Sequence, residues 1–139
     1  MRIRITILIL PILFLACDPV QNLEVMNRTR DTIFFELSKD GKLGYSPIQI
    51  EGNSDTLWSI MNYAYPNERS IMPLIGFDGW EDFINNECID STLTVFFFEK
   101  EFLKNISVDS LLSNQLYSQK SEFKVKELEH LSWVINYKE

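Results

Sequence analysis

The sequence predicts an α+β, β-rich fold: antiparallel sheets arranged like a sandwich, with short helices at the periphery. Three observations predict it. The apolar residues fall in short runs rich in β-branched and aromatic side chains, each bounded by Gly, Pro, Asn, Asp or Ser. Ile33, Phe35 and Leu37 alternate with their neighbours, which sends one face of that segment to the core. Helical spacing persists for only a turn or two anywhere beyond the N-terminus, too short to organise a helical core.

The N-terminus is a separate element. Arg2 and Arg4 make a basic start, and Ile5 to Leu15 form an apolar stretch interrupted only by Thr6 and Pro11. A membrane span needs about 20 apolar residues, and Asp18 and Pro19 end this run too early. An ordinary secretory signal cleaved after Ala16 would need a small residue where Phe14 stands. Leu13-Phe14-Leu15-Ala16-Cys17 puts a small residue before a thiol, and it resembles the lipobox that a lipoprotein signal peptidase reads. Phe14 and Leu15 depart from its commonest form. The expected organisation is a signal peptide over residues 1–16, a lipidated tether over 17–22 with Cys17 as the attachment site, and one globular domain over 23–139. Several acyl chains on one cysteine hold a protein stably where a single chain does not. The expected location is the bacterial cell envelope, at the outer membrane; a single acid, Asp18, in the tether favours the periplasm-facing side, while its place directly after Cys17 also resembles an inner-membrane retention signal of some bacteria.

The domain begins with two β-rich runs, Leu23 to Asn27 and Thr32 to Leu37, whose polar connection Arg28 to Asp31 predicts a hairpin. Asp40-Gly41-Lys42-Leu43-Gly44 predicts a turn. Tyr45 to Glu51 reads as a strand that Pro47 confines to an edge or to a strand start, and Thr56 to Tyr65 and Ser70 to Ile75 as further strands. Asp78 stands three residues before Glu81, which predicts a capped helix over 78–86 with Trp80, Phe83 and Ile84 inward. Leu93 to Phe98 is apolar on both faces and predicts a central strand covered twice. Ser107 predicts a cap for a short helix bearing Leu111 and Leu112, followed by a strand within Leu116 to Lys124. Val125, Leu128 and Leu131 fit one more helical turn, and Trp133 to Tyr137 a closing strand.

The block Glu127-Leu128-Glu129-His130-Leu131-Ser132-Trp133-Val134-Ile135-Asn136-Tyr137, with Leu93 to Lys100 and Tyr63-Ala64-Tyr65-Pro66, resembles small uncharacterised lipoproteins of Bacteroidota bacteria. The resemblance implies an envelope location and a β-rich fold, with no activity attached. Trp133, Ile135 and Tyr137 are read as packing residues.

Charge narrows the partners. Removing Arg2 and Arg4 with the leader takes the net charge from −7 to about −9. Phosphate contacts require concentrated Lys and Arg, so no nucleic-acid partner is expected. Acylated Cys17 leaves Cys88 without a disulfide partner, and Cys88 reads as a small buried hydrophobe. Glu87 and Asp90 beside it oppose thiolate formation.

Catalytic patterns are sparse. His130, the single histidine, reads as exposed, and no metal or cofactor site is expected. Ser121-Glu122-Phe123-Lys124 matches Ser-x-x-Lys without its companion motifs. Asp78, Glu81 and Asp82 are explained by a helix start, and Glu99 and Glu101 by a solvated strand end. Asp followed by Ser or Thr recurs at Thr32, Thr56, Ser91 and Ser110, which is similar to the O-glycan acceptor motif of exported Bacteroidota proteins and is equally a turn preference.

Two functions are weighed. The first is a non-catalytic lipoprotein, anchored to membrane lipid through Cys17, that binds a basic envelope protein or serves a structural role. A strongly acidic domain speeds encounter with a cationic partner, and Tyr63, Tyr65 and Trp58 forming one exposed patch edged by acids would favour it. The alternative is a small envelope hydrolase acting on carbohydrate or peptidoglycan, which requires two acids, or Ser121 beside Lys124, in a concave pocket.

Overall fold

The computed structural model describes residues 22–44, 62–74 and 78–138. The expected leader, Cys17, the strand at 45–51, Thr56 and Trp58 lie outside them. In chain order the described elements are β1 (Leu23–Asn27), β2 (Ile33–Ser38), β3 (Asn62–Ala64), β4 (Arg69–Met72), α1 (Trp80–Glu87), β5 (Leu93–Glu99), α2 (Lys100–Lys104), α3 (Val108–Ser113), β6 (Gln119–Phe123), α4 (Val125–His130) and β7 (Val134–Tyr137). A single 3-10 turn, Ile89–Ser91, joins α1 to β5.

The architecture is α+β and β-rich, with two sheets of order β4-β1-β7 and β3-β2-β5-β6. All ladders are antiparallel except β1 with β7, which is parallel. One core lies between the sheets: Leu23 and Val25 of β1, Ile135 and Tyr137 of β7, and Met72 of β4 meet Ile33 and Phe35 of β2 and Leu93, Val95 and Phe97 of β5. Phe97 and Tyr137 stack across it with ring centroids 4.7 Å apart. Trp80 and Ile84 of α1 and Leu128 of α4 complete this layer. The other face of the four-stranded sheet carries a second cluster, in which Phe34, Phe96 and Phe98 are covered by Leu103 of α2, Leu111 of α3 and Leu43. The doubly apolar strand β5 is thus interior to its sheet and covered on both faces.

The expected hairpin between the first two strands does not form: β1 and β2 belong to different sheets. The reason is Asn27, which is fully buried. Its Nδ2 donates to the carbonyls of Asp31 (2.7 Å) and Ala64 (3.0 Å), and its Oδ1 accepts from the N–H (2.9 Å) and hydroxyl (2.8 Å) of Thr29. One side chain therefore folds the connection into a corner and ties β1 to β3 across the sandwich, satisfying groups that a hairpin turn would have paired itself.

Helix ends also differ from expectation. Helix α1 starts at Trp80, with Gly79 rather than Asp78 at its N-cap and no capping side chain. Gly79 has φ 149°, a conformation that glycine alone adopts readily. Trp80 sets the position of this start by donating Nε1–H to the Met72 carbonyl at 3.2 Å. Ser107 does cap α3, its Oγ accepting from the N–H of Ser110 at 3.2 Å. Helices α3 and α4 both stop in a left-handed turn without glycine, at Gln115 (φ 51°) and at Ser132 with Trp133 (φ 53° and 62°). There Leu116 N–H donates to Leu111 O (2.9 Å) and Trp133 N–H to Leu128 O (2.7 Å), covering carbonyls the helices leave open. Gln115 adds a clamp: its Oε1 accepts from Leu43 N–H (2.7 Å) and its Nε2 donates to Leu43 O (3.2 Å), which pins Leu43 over the second cluster.

Candidate functional site

Where β3 leaves one sheet and β4 enters the other, the chain builds an exposed corner. Tyr65 to Glu68 form the turn, with Glu68 N–H donating to Tyr65 O at 3.0 Å and Asn67 at φ 59°. Tyr63 lies opposite Phe34 on β2, so its ring rests against a buried aromatic while its outer face meets solvent. Tyr63 and Tyr65 pack edge to face with centroids 5.2 Å apart, the arrangement aromatic quadrupoles favour. Tyr63 is 47% exposed, Tyr65 52% and Ile71 56%. With Asn62, Glu68 and Arg69 these residues line a shallow groove along the edges of both sheets.

The electrostatics of the corner are asymmetric. The Tyr63 phenol, by charge and by hydrogen bonding, holds the Tyr65 hydroxyl above the usual tyrosine range, with Glu68 adding to the effect. Arg69 gives its guanidinium to Glu24 at 2.8 Å, whereas Glu68 makes no ion pair among the described residues. The expected aromatic patch is therefore present for Tyr63 and Tyr65. Sequence reasoning missed Ile71, although the alternation of Arg69 and Ile71 ahead of Pro73 carried a signal for an edge strand with one outward face.

A second concavity lies where the β1–β2 corner, the end of β5 and the end of β7 meet. Asp31, Glu99 and Glu101 line it with Thr29, Thr32 and Tyr137, and its volume is about 110 Å³. Tyr137 donates its hydroxyl to Glu99 Oε1 at 3.3 Å. Ligand pockets usually enclose about 300–1,000 Å³, so this cleft takes a few waters and not a sugar ring with its neighbour.

The remaining candidates are scattered. Ser121 sits within β6 opposite Val95, its hydroxyl accepting from Gln119 Nε2 at 3.3 Å, and no hydrogen bond joins it to Lys124 among the described residues. His130 is exposed at the last turn of α4. Asp82 accepts from Asn86 Nδ2 at 2.7 Å along α1. Cys88 is buried, and burial pushes its thiol above the ordinary range, the direction of an inert cysteine. Among the described residues no group of three His, Cys, Asp or Glu side chains is disposed to hold a metal ion. Thr32 lies immediately before β2, Ser91 closes the 3-10 turn before β5, and Ser110 lies within α3 with its hydroxyl accepting from Ser107 at 2.9 Å; each is half-buried. Trp133, Ile135 and Tyr137 are buried packing residues, as read from the sequence.

Compared with protein-family models, curated proteins and solved structures, the chain matches none.

Proposed function

We propose that this is an envelope lipoprotein, anchored through acylated Cys17, whose acidic domain binds a basic partner without catalysing a reaction on it. The observation that carries the reading is the exposed corner: Tyr63, Tyr65 and Ile71 together on one groove, with the exposed Glu68 at its rim. Interface cores are enriched in aromatic residues such as tyrosine, and a net acidic domain steers cationic partners toward them. The cleft beside Glu99 sets Asp31, Glu99 and Glu101 together with Lys100 in about 110 Å³, which leaves that cleft no room for the carbohydrate substrate of the alternative hydrolase.

Chemical crosslinking in intact envelopes, followed by purification of the full chain, tests this. A partner captured by the natural chain and lost with Tyr63→Ala/Tyr65→Ala supports the reading; an identical set of captured proteins ends it. Cys17→Ser should move the protein from the membrane to the soluble fraction, and unchanged fractionation removes the anchor. Intact mass of the native protein decides between O-glycan acceptors and plain turn residues at Thr32, Thr56, Ser91 and Ser110: lipid as the only addition excludes sugars there.

A further inference from the structure

The groove has a backbone as well as side chains. In an antiparallel ladder, pairs that exchange both hydrogen bonds alternate with pairs that exchange none. Asn27 N–H donates to Glu68 O at 3.0 Å, one step beyond the Met26–Arg69 pair, so Val25–Ser70 and Leu23–Met72 are the bonded pairs of β1 with β4. The opposite edge of β1 agrees, because Glu24 and Arg28 give their N–H groups to Trp133 and Tyr137 of the β7 side at 2.9 and 2.8 Å. Arg69 and Ile71 therefore turn their N–H and C=O groups away from β1. Among the described residues β4 pairs with β1 alone, so among them these groups lie on the outer edge of the three-stranded sheet, beside the exposed side chains of Arg69 and Ile71.

Charge says what belongs there. At one end of β4 stands Glu68, which makes no ion pair among the described residues; Arg69 is neutralised by Glu24. An extended segment laid on β4 would run past Glu68, Ile71 and the tyrosine pair, on a chain whose net charge is −7. Aromatic faces beside a carboxylate suit an ammonium or guanidinium group on an aliphatic stem.

We infer that β4 accepts an extended, cationic segment of the partner as an added strand, with Arg69 and Ile71 supplying the backbone hydrogen bonds. This deepens the proposed function and rests on it. Main-chain bonding gives such a site affinity, and side chains at alternate positions give it selectivity. Pro73 ends the edge, so pairing is short and depends on the flanking charge and aromatic contacts.

The test uses the detergent-solubilised full chain and a fluorescent synthetic peptide alternating valine with lysine. Anisotropy should show saturable binding that weakens about tenfold when the valines are N-methylated, roughly the worth of one or two hydrogen bonds. Ile71→Pro should weaken it comparably, since the N–H it removes faces outward and the β1 ladder keeps its bonds. Replacing lysine by glutamate in the peptide should abolish binding, and Glu68→Gln should weaken it only at low salt. No binding, or binding indifferent to N-methylation, overturns strand addition; if Ile71→Pro unfolds, the peptide comparison decides alone. A partner captured in envelopes while the valine–lysine peptide fails leaves the binding function standing without this edge. A peptide that binds as described while envelopes yield no tyrosine-dependent partner supports the edge and removes the proposed function.

Discussion

The two faces of β5 are built from neighbouring residues of one strand, yet they belong to different kinds of core. Leu93, Val95 and Phe97 face the other sheet, where strands distant in sequence and two helices enclose them. Phe96 and Phe98 face α2 and α3, which follow β5 directly in the chain. The first core is closed by long-range pairing and is lost only with the whole sandwich. The second is closed by helices of five and six residues, each too short to persist in isolation. Its rim is polar: Glu36 is half-buried there, and Tyr117 and Lys120 cover Phe96 from the side. An apolar face can thus be buried completely in either way, but the local cover opens at lower cost.

The difference is sharpest in mutants. Phe97→Ala removes a fully buried ring from the inter-sheet core and should cost about 4 kcal/mol, read as one cooperative transition in denaturant. Asn27→Ala should cost about 3 kcal/mol, because Thr29 N–H and the Ala64 carbonyl lose their partner inside the protein. A cost near zero would mean that the corner relaxes and that the two sheets do not depend on it. Leu111→Ala in the outer layer should cost about 2–3 kcal/mol, with hydrogen exchange accelerating over residues 100–116 ahead of the strands. Uniform acceleration would erase the distinction between the two layers.

Smaller effects probe the same boundary. Burial holds the Glu36 carboxyl above its usual range, Asp40 adds to this, and the Gly44 N–H at 2.9 Å works against it. A raised carboxyl pKa means that the stabilising contribution is complete below the usual value of 4.5 and is lost as pH rises through the folded-state value. Glu36→Gln should therefore stabilise the protein at neutral pH by up to about 1 kcal/mol after allowing for solvent screening, with no gain in acid, measured by denaturant titration at both pH values. Ser132→Gly should add about 0.5 kcal/mol by relieving a left-handed backbone at an exposed position, read as a small rise in Tm. The same change at Gln115 would sacrifice the Leu43 clamp and should destabilise the outer layer instead.

What was legible before folding was what local chemistry controls. The alternation at Ile33, Phe35 and Leu37, the double apolarity of Leu93 to Phe98, the Ser107 cap and the packing role of Trp133, Ile135 and Tyr137 all follow from side-chain period and type, and the structure bears them out. The tyrosines of the exposed corner were visible as well, because a Tyr-Ala-Tyr run ahead of a proline turn has one small residue to bury and two large ones to leave out. The α+β, β-rich class thus belongs to the sequence alone.

Pairing did not. Whether Arg28 to Asp31 closes a hairpin or a corner depends on where Asn27 finds acceptors, and one of them, the Ala64 carbonyl, lies 37 residues away. The parallel placement of β7 on β1 and the outward-facing backbone of Arg69 and Ile71 are likewise set by partners remote in sequence. A residue's own period says which side of a strand it occupies; only the packed structure says which strand, or which partner, lies beside it.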